Sequence, residues 1–396
     1  MTKSYPLFPT TLIGSWPRSR EVLLALRKHR NGQMSDDDFN ELIENETARI
    51  IKLQEKLGLD FIVSGELSRD NYCSFVADRI GGVDLLSMND VIDYVPDKQS
   101  FEDILSTLDV PSIAIRNAIC TGKLEYHPIA VNELKMLKKY TDKPVKITLP
   151  GPYLLTRSMW LSKLSGKAYD SKEDLGKDVV KILQQEIDNL QKIGVDIIQF
   201  DEPVLTEVVF TEGKTRSFMC AALAEKKDPT DELEFAKSLL KPVMDHIDRN
   251  KSIASMHVCR GNWSNDESIL LTGAYTPLLD LFEYVDPDLL TLEYSTPRAG
   301  DFSTLMASDQ IRNNDIIGLG VENPRLYDAE SVDFIKDKVK DALQYLPADR
   351  IFINPDCGFA TFSNRPVNKE EFITNKINSL VEASHQLRQE YSTVQE

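Results

Sequence analysis

The sequence has few cysteines, and those it has are not spaced like disulfide partners. Five cysteines are spread over 396 residues, at positions 73, 120, 220, 259 and 357. An odd and widely separated set excludes the disulfide framework that small secreted domains use. The cysteine content is instead typical of a protein that works in a reducing compartment.

Long hydrophobic runs are also missing. No apolar segment approaches the roughly 20 residues that a membrane-spanning helix requires. The N-terminus lacks the apolar core of a signal peptide, because Pro6 and Pro9 interrupt it. Together with the cysteine content, these absences predict a soluble, cytoplasmic protein.

Positive charge is the third shortage. The chain has 46 basic and 63 acidic residues, which gives a net charge of -17 and a pI near 4.9. Without a basic field to attract phosphate groups, nucleic acids and anionic membranes are excluded as partners. One local group of lysines is the exception, and we interpret it as a solvated helix face and loop: Lys135, Lys138, Lys139, Lys143 and Lys146.

What the sequence does contain is a series of short apolar runs that end in polar residues, glycine or proline. Near-continuous apolar runs are typical of parallel strands that are covered on both faces. There are eight of them, at residues 11–15, 61–66, 145–150, 196–202, 252–259, 289–295, 315–321 and 350–357.

Segments with helical spacing of apolar residues lie between these runs. They predict helices at residues 36–57, 178–193 and 332–346. The first two are followed by Gly58 and Gly194, as expected at a helix C-terminus. Alternation of strand and helix through eight repeats predicts an α/β fold, a (β/α)8 TIM barrel.

The length leaves the number of domains open at first. The chain exceeds the roughly 250–300 residues at which a single core usually stops growing, so two domains or one enlarged barrel would both fit. We predict one TIM-barrel domain over residues 1–396. It carries insertions after strands 2 and 4, at about 81–141 and 206–241, and a tail at about 390–396. The first insertion contains a predicted hairpin at residues 114–126.

Residues with useful chemistry collect at the ends of the predicted strands. In a (β/α)8 barrel, the C-terminal strand ends form the face that carries the active site. The residues that fall there are Gly14, Ser15, Glu66, Asp201, His257, Cys259, Glu293 and Cys357.

His257 and Cys259 are the most informative pair. Residues two apart on a strand point to the same face. With Cys357 and a carboxylate from other strands, they would form the mixed nitrogen, sulfur and oxygen site that suits zinc. The alternative is a core histidine beside a buried free thiol. Zinc would hold a substrate thiol as thiolate, which favours alkyl transfer onto sulfur.

Six short motifs extend this interpretation. They read FPTTLIGS at 8–15, SGEL at 64–67, QFDEP at 199–203, HVC at 257–259, LEYS at 292–295 and NPDCG at 354–358. In this order they resemble the catalytic half of cobalamin-independent methionine synthase, and the resemblance extends from about residue 8 to 365. It implies a zinc-dependent methyltransferase that transfers a methyl group to the thiol of homocysteine and forms methionine.

The resemblance also implies the role of each site residue. The implied zinc ligands are His257, Cys259, Glu293 and Cys357. The implied homocysteine contacts are Ile13, Gly14, Ser15, Glu66 and Asp201. Glu66 and Asp201 would hold the ammonium group of the amino acid, and the backbone at Gly14 and Ser15 would meet its carboxylate.

The chain departs from that family in two respects. Full-length members have two barrels with the methyl-pterin between them, whereas this chain has room for one. The family also has a histidine proton donor after the seventh strand, where this chain reads GVENPR at 320–325. Arg325 cannot release a proton at neutral pH. The methyl donor therefore stays open between a pterin and a corrinoid, and no catalytic proton donor is assigned.

Two other functions stay open at this stage. One is zinc-dependent alkyl transfer to a different small thiol, as in coenzyme M transferases. The other is a non-catalytic zinc-binding homologue. Glu66 and Asp201 favour homocysteine, because a thiol without an ammonium group needs no pair of acids. A corrinoid-protein partner would suit a single barrel, and a homo-oligomer is a further possibility.

Overall fold

A curled parallel sheet of seven strands forms the centre of the molecule. The computed structural model describes residues 5–94, 116–210, 228–262 and 264–392. Cys220 and the end of the predicted tail, residues 393–396, lie outside these ranges. The predicted layering of helices around a parallel sheet is confirmed for the described residues.

Seven of the eight predicted strands form, and every pairing among them is parallel. Their order in the sheet is β1-β4-β5-β6-β7-β8-β9, while β2 and β3 form a separate pair. The strands are β1 (Ile62–Val63), β2 (Ile80–Ser87), β3 (Arg116–Tyr126), β4 (Val145–Pro150), β5 (Ile197–Asp201), β6 (Ile253–Val258), β7 (Leu289–Glu293), β8 (Ile316–Glu322) and β9 (Ile351–Pro355).

The regular strand predicted at residues 11–15 is not formed. The segment makes isolated parallel bridges instead, from Thr10 to Ile353 and from Ser15 to Gly65. The Thr11 amide donates to the Ile353 carbonyl at 3.1 Å, and the Trp16 amide donates to the Gly65 carbonyl at 2.9 Å. Because the segment passes from β9 to the end of β1 within a few residues, it pairs with neither strand long enough to form a ladder.

Helices cover the outer face of the sheet. They are α1 (Arg20–Arg30), α2 (Asp36–Leu57), α3 (Met88–Val91), α4 (Val131–Tyr140), α5 (Pro152–Met159), α6 (Ser162–Ser165), α7 (Lys172–Ile193), α8 (Val204–Phe210), α9 (Pro229–Met244), α10 (Leu279–Val285), α11 (Asp309–Asn313), α12 (Val332–Leu343) and α13 (Glu370–Ser392). The helix predicted at 36–57 matches α2, and those predicted at 178–193 and 332–346 correspond to α7 and α12.

The two long helices before β1 and β5 have matching ends. Ser35 caps α2 and Ser171 caps α7, each accepting a backbone N–H of the first turn with its hydroxyl. Gly58 and Gly194 end these helices at φ 92° and 97°, a left-handed conformation that glycine adopts without strain. The predicted C-terminal glycines are therefore confirmed.

The predicted insertions are described only in part. β2 and β3 pair as an antiparallel ribbon with a register shift between Gly81 and Val83. The hairpin predicted at 114–126 is wrong, since residues 116–126 form one continuous strand; residues 95–115 lie outside the described ranges. In the second region, α8 and α9 precede β6, and residues 211–227 are not described.

The lysine group that we interpreted as a solvated face divides in two. Lys135, Lys138 and Lys139 lie on the exposed side of α4, as predicted. The prediction is wrong for Lys146, which is 1% exposed within β4. A strand of the central sheet is covered on both faces, so none of its side chains reaches solvent.

The inside of the curled sheet has an apolar floor. Phe61, Ile197, Leu289 and Phe352 form a small cluster, separate from the main core between the sheet and the helices. Register then places polar side chains further along the same strands, toward their C-terminal ends. The interior is therefore apolar at one end and polar at the other.

Candidate metal and substrate site

The predicted site residues converge at the polar end of the sheet. Asp201 and Glu293 are the last residues of β5 and β7, and His257 is the penultimate residue of β6. Glu66 and Cys357 follow β1 and β9 directly in loops. Because parallel strands end at one edge, side chains far apart in sequence meet there.

One cavity opens among these residues. Seven of the nine predicted site residues line it, and the two that do not are Gly14 and Glu293. The full lining is Ile13, Ser15, Glu66, Tyr72, Asp201, Pro203, His257, Cys259, Asn262, Cys357, Gly358, Thr361 and Phe362.

Three of the implied zinc ligands form a compact group. The ligand atoms of His257, Cys259 and Cys357 all lie within 4.8 Å of one another, and all three residues are buried. Two sulfur atoms and an imidazole nitrogen at this spacing are a donor set that zinc prefers.

The two cysteines of this group are coupled. The Cys357 side chain hydrogen-bonds to the Cys259 sulfur, which lowers the pKa of Cys259, and the nearby imidazole of His257 lowers it further. The same hydrogen bond and burial raise the pKa of Cys357 well above its usual range. The two pKa shifts have opposite directions, so Cys259 loses its proton more readily than Cys357.

His257 is held from both sides. Its Nδ1 lies 3.1 Å from Asp201 Oδ1, and its Nε2 lies 3.2 Å from the Asp356 carbonyl oxygen. Burial alone would lower the pKa of His257, but the hydrogen bond and charge of Asp201 outweigh it and raise the pKa to about 9. A carboxylate on one ring nitrogen leaves the other for a metal, as in carboxylate–histidine–zinc arrangements.

Glu293 is near this group but is not part of it. One of its oxygens, Oε2, accepts the Arg260 backbone N–H at 2.8 Å, and guanidinium nitrogens of Arg260 and Arg298 lie 3.5 Å from the carboxylate. Its other oxygen, Oε1, is buried without a hydrogen-bond partner among the described residues. A buried carboxylate oxygen left without a hydrogen bond fits a ligand position toward a cation.

The donor set therefore fits a zinc ion. Two sulfurs and one imidazole are already grouped, and Glu293 offers an oxygen that forms no hydrogen bond. The opposite pKa shifts of the two cysteines also fit, because a cation bound by both sulfurs would replace the remaining thiol proton.

Glu66 and Asp201 form the acid side of the cavity, and Asp201 also contacts His257 of the metal group. Glu66 Oε1 accepts the Thr148 hydroxyl at 2.7 Å and lies 3.7 Å from Arg69 Nη1. Its other oxygen, Oε2, is buried without a hydrogen-bond partner among the described residues. Burial raises the pKa of Glu66, and Asp201 adds to this effect while Arg69 opposes it. The unpaired oxygen is available to a donor from a ligand.

The backbone of Glu66 is itself strained. Its φ of 57° is in the left-handed region, which costs a non-glycine residue free energy. Gly14 fits under its carboxylate, because a Cβ on Gly14 would lie 2.2 Å from Glu66 Oε1. Gly14 therefore supports the site by making room, although it does not line the cavity.

Ser15 connects the first segment to the loop that carries Cys357. Its hydroxyl accepts the Ala360 backbone N–H at 3.2 Å, and its carbonyl accepts the Phe359 N–H at 3.2 Å. A Cβ on Gly358 would lie 2.1 Å from the Ser15 hydroxyl, so glycine is required there.

Several lining residues were missed by the sequence analysis. Tyr72 and Phe362 stack edge to face at 6.1 Å, and Asn262 Nδ2 donates to the Gly358 carbonyl at 2.6 Å. These residues lie in loops, where no strand or helix period marks a side chain as inward. Gly358 and Pro203 did have a signal, since they belong to the NPDCG and QFDEP motifs.

The loop after β8 contains no histidine, as the sequence indicates. Arg325 is buried there, and its Nη1 donates to Asn262 Oδ1 at 3.1 Å. The sequence has five histidines, all within the described ranges, and His257 is the one that lines the cavity. Arg325 thus orients a residue of the cavity wall and supplies no proton.

Comparison with known proteins places these residues in a family. The model of the cobalamin-independent synthase catalytic domain matches residues 8–385. A 5-methyltetrahydropteroyltriglutamate–homocysteine methyltransferase of Bacillus licheniformis is 28% identical over 97% of this chain and 43% of its own length. The enzyme of that name from Bacillus subtilis is 27% identical, again over 43% of its length. This chain spans less than half the length of these relatives.

Solved structures support the fold. A B12-independent methionine synthase of a Shewanella species, in complex with selenomethionine, superposes with a TM-score of 0.70 at 19% identity, covering 98% of this chain and 99% of that one. A putative vitamin-B12 independent methionine synthase of Listeria monocytogenes gives 0.67 at 19% identity, covering 97% and 99%.

None of the helices in the described ranges has the length and apolar character of a membrane span.

The family match extends over the whole described sheet and includes every residue that lines the cavity. The chain belongs to the cobalamin-independent synthase catalytic-domain family.

Proposed function

We propose that this chain is a zinc-dependent methyltransferase that transfers a methyl group to the thiol of homocysteine and forms methionine. One observation carries the proposal: a single cavity is lined by a His-Cys-Cys group and by two acids. The first group suits a thiol, and the acids suit an ammonium group. Homocysteine has both.

In this proposal His257, Cys259, Glu293 and Cys357 hold the zinc ion. The compact grouping of three of them supports the assignment, as does the buried Oε1 of Glu293, which forms no hydrogen bond among the described residues and has Arg298 Nη2 3.5 Å away. Zinc in such a site would lower the pKa of a substrate thiol, so that it reacts as a thiolate near neutral pH. Asp201 would keep the proton of His257 on Nδ1 and leave Nε2 for the metal.

Glu66 and Asp201 would bind the ammonium group of homocysteine. The unpaired, buried Oε2 of Glu66 supports this role, since a buried acceptor without a donor is costly unless a ligand supplies one. Ile13, Gly14 and Ser15 would meet the carboxylate through their backbone. Anchoring the amino acid at these groups orients its sulfur toward Cys259 and Cys357 across the cavity.

The acid pair also separates homocysteine from other thiols. A thiol without an ammonium group would leave Oε2 of the buried Glu66 without a hydrogen-bond donor, which is unfavourable. Coenzyme M-like acceptors, with a negative group at that end, would be repelled. The same argument disfavours a non-catalytic zinc-binding homologue, because it would retain costly acids without use.

We propose a pterin as the first methyl donor to test, because the relatives' names give methyltetrahydropteroyltriglutamate. Those names support neither a corrinoid partner nor an oligomer. A corrinoid donor remains the second candidate because no histidine other than His257 lines the cavity to protonate a leaving pterin nitrogen.

Two structural proposals accompany this function. Residues 9–16 would act as the remaining member of a (β/α)8 barrel, since they bridge the edge strands β9 and β1. Residues 1–396 would form one such domain, with the β2–β3 ribbon as an insertion. The protein would work in the cytoplasm, because the described cysteines are free thiols, and two of them serve the site.

Zinc-loaded protein with homocysteine and either methyltetrahydropteroyltriglutamate or methylcobalamin tests the function. Methionine from the pterin would support the whole proposal, and methionine from methylcobalamin alone would reassign the donor. If zinc is bound and neither donor yields methionine, homocysteine is the wrong acceptor and the proposal fails.

A further inference from the structure

Lys146 is a buried lysine that the proposed function does not use. It pairs in register with Ile197, a residue of the apolar floor, so its side chain also faces the interior of the sheet. With 1% exposure it has no access to bulk water. Burial lowers its pKa to about 7, although the charges of Asp201 and Glu66 act to raise it. Burying a lysine costs free energy unless its amino group forms hydrogen bonds.

The lysine begins a chain of hydrogen bonds that ends at the metal group. Its Nζ donates to Gln199 Oε1 at 3.0 Å. The oxygen of the glutamine amide therefore faces Lys146, since the donating lysine nitrogen needs an acceptor. The glutamine NH2 group then faces the other way, and its Nε2 donates to Asp201 Oδ1 at 2.8 Å.

Asp201 passes this constraint to His257. The same Oδ1 lies 3.1 Å from His257 Nδ1. A carboxylate can only accept, so the ring nitrogen that faces it, Nδ1, carries a proton. Nε2, which lies 3.2 Å from the Asp356 carbonyl oxygen, is then the nitrogen that would exchange that contact for the metal. If Gln199 turned over, its oxygen would face the Asp201 carboxylate, and the two acceptors would repel each other.

We propose that Lys146 is a positioning residue, which fixes Asp201 through Gln199 and thereby selects the nitrogen of His257 that binds the metal. This inference rests on the proposed zinc site. Lys146 lies below the cavity and does not line it, so it acts without touching the metal or the substrate.

The test is zinc affinity, measured by competition with a chromophoric chelator, in a set of variants. Lys146→Met keeps the length of the side chain and removes the donor. Loss of a direct outer partner of a metal ligand costs about 10–100-fold in affinity, and Lys146 is two bonds further away, so we expect a loss of about tenfold. Gln199→Met should cost at least as much.

The double variant distinguishes an effect transmitted through Gln199 from a general loss of structure. If Lys146 acts through Gln199, Lys146→Met in the Gln199→Met background should cause no further loss. Nitrogen-15 spectra of labelled histidine give a second readout, because they report which ring nitrogen of His257 carries the proton. We expect Nδ1 protonation in the zinc-bound wild type and a mixture in Lys146→Met.

Lys376→Met is the matched control. Lys376 is equally buried, but its partner is Glu330 at 2.6 Å, outside the cavity. It should change stability and leave zinc affinity unaltered. Should Lys146→Met fail to fold, Gln199→Glu serves instead, because it keeps a partner for Lys146 and removes the donor to Asp201.

Three results separate the possible failures. Wild-type zinc affinity in folded Lys146→Met or Gln199→Glu would overturn the inference. Additive losses in the double variant would overturn the route through Gln199. A wild-type protein that binds no zinc would contradict the proposed function itself.

Discussion

The two sides of the cavity balance charge in different ways. On the acid side, Glu66 and Asp201 already have protein partners, with Arg69 beside Glu66 and Gln199 beside Asp201. On the metal side, a hydrogen bond between the two cysteines lowers the pKa of Cys259 and raises that of Cys357, and a cation bound by both sulfurs would displace a proton. The acid side is therefore preformed by the chain, whereas the metal side is completed by what binds to it.

This difference predicts which variants affect zinc and which affect substrate. Residues of the metal side should control zinc content, and activity through it. Residues of the acid side should control the homocysteine requirement. Asp201 is the exception, because it contacts His257 as well as the cavity.

The largest effect should come from Cys357→Ser. It removes one of two thiolate donors, and we expect zinc affinity to fall by more than about 100-fold, beyond what loss of an outer partner costs. Methionine formation should disappear with it. Metal analysis after dialysis, alongside the activity assay, provides the check. Lost activity with full zinc content would contradict the ligand assignment. Cys120→Ser, a buried cysteine elsewhere, is the control.

Glu66→Gln should affect the other side alone. A hydrogen bond to a charged group is worth about 1.5–3 kcal/mol, so the homocysteine KM should rise by about tenfold or more while zinc content stays unchanged. Steady-state kinetics with measured zinc content test this. Glu232→Gln, an acid bonded to Tyr153 and Lys172 outside the cavity, is the control. An unchanged KM would remove Glu66 from the ammonium site.

Asp201→Asn should affect both the acid side and the metal side. The amide keeps the shape and loses the charge, so the homocysteine KM should rise as for Glu66→Gln. Zinc affinity should also fall, by about tenfold, because the partner of His257 is weakened. The same two assays apply. A variant that changes only KM would show that the bond to His257 has no role in metal binding.

The protons of the metal side should also make zinc binding depend on pH. In the metal-free protein the pKa of His257 is raised from 6.5 to about 9, so a proton competes with zinc below pH 9. Zinc affinity should rise by about tenfold per pH unit for each displaced proton between pH 6 and 8. The metal-free fold should show the opposite trend. The stability that His257 gives is fully present below pH 6.5 and is lost as the pH rises to 9.

Chelator competition and denaturant unfolding across this pH range measure the two trends. A zinc affinity that does not change with pH would mean that metal binding displaces no proton from this group, contrary to the coupling of the two thiols and His257.

Much of the sheet could be predicted because its strands are covered on both faces. Runs such as those of β8 and β9 are apolar almost throughout, and Gly58 and Gly194 mark where two helices must end. The strand predicted at residues 11–15 is wrong because that run is also apolar. Its short crossing between β9 and β1 depends on the geometry of the sheet, which the sequence does not record.

The site could be predicted where the strands carry it. Glu66, Asp201, His257 and Cys259 fall at strand ends, which one edge of a parallel sheet brings together. Residues such as Asn262, which approach through loops, have no such signal. The arginines around Glu293 were also missed, because ion pairs between distant segments depend on packing. Lys146 was misread for the same reason: its exposure is set by the sheet around it.

Cobalt substitution would show whether the cavity holds a metal ion that binds the substrate thiol. Protein loaded with Co²⁺ in place of zinc reports thiolate ligation through sulfur-to-cobalt charge-transfer absorption. We expect one ion per chain, absorption from two cysteine thiolates, and an increase when homocysteine is added but not when methionine is added. No thiolate absorption, or a spectrum that homocysteine leaves unchanged, would contradict a metal-assisted thiol site in this cavity.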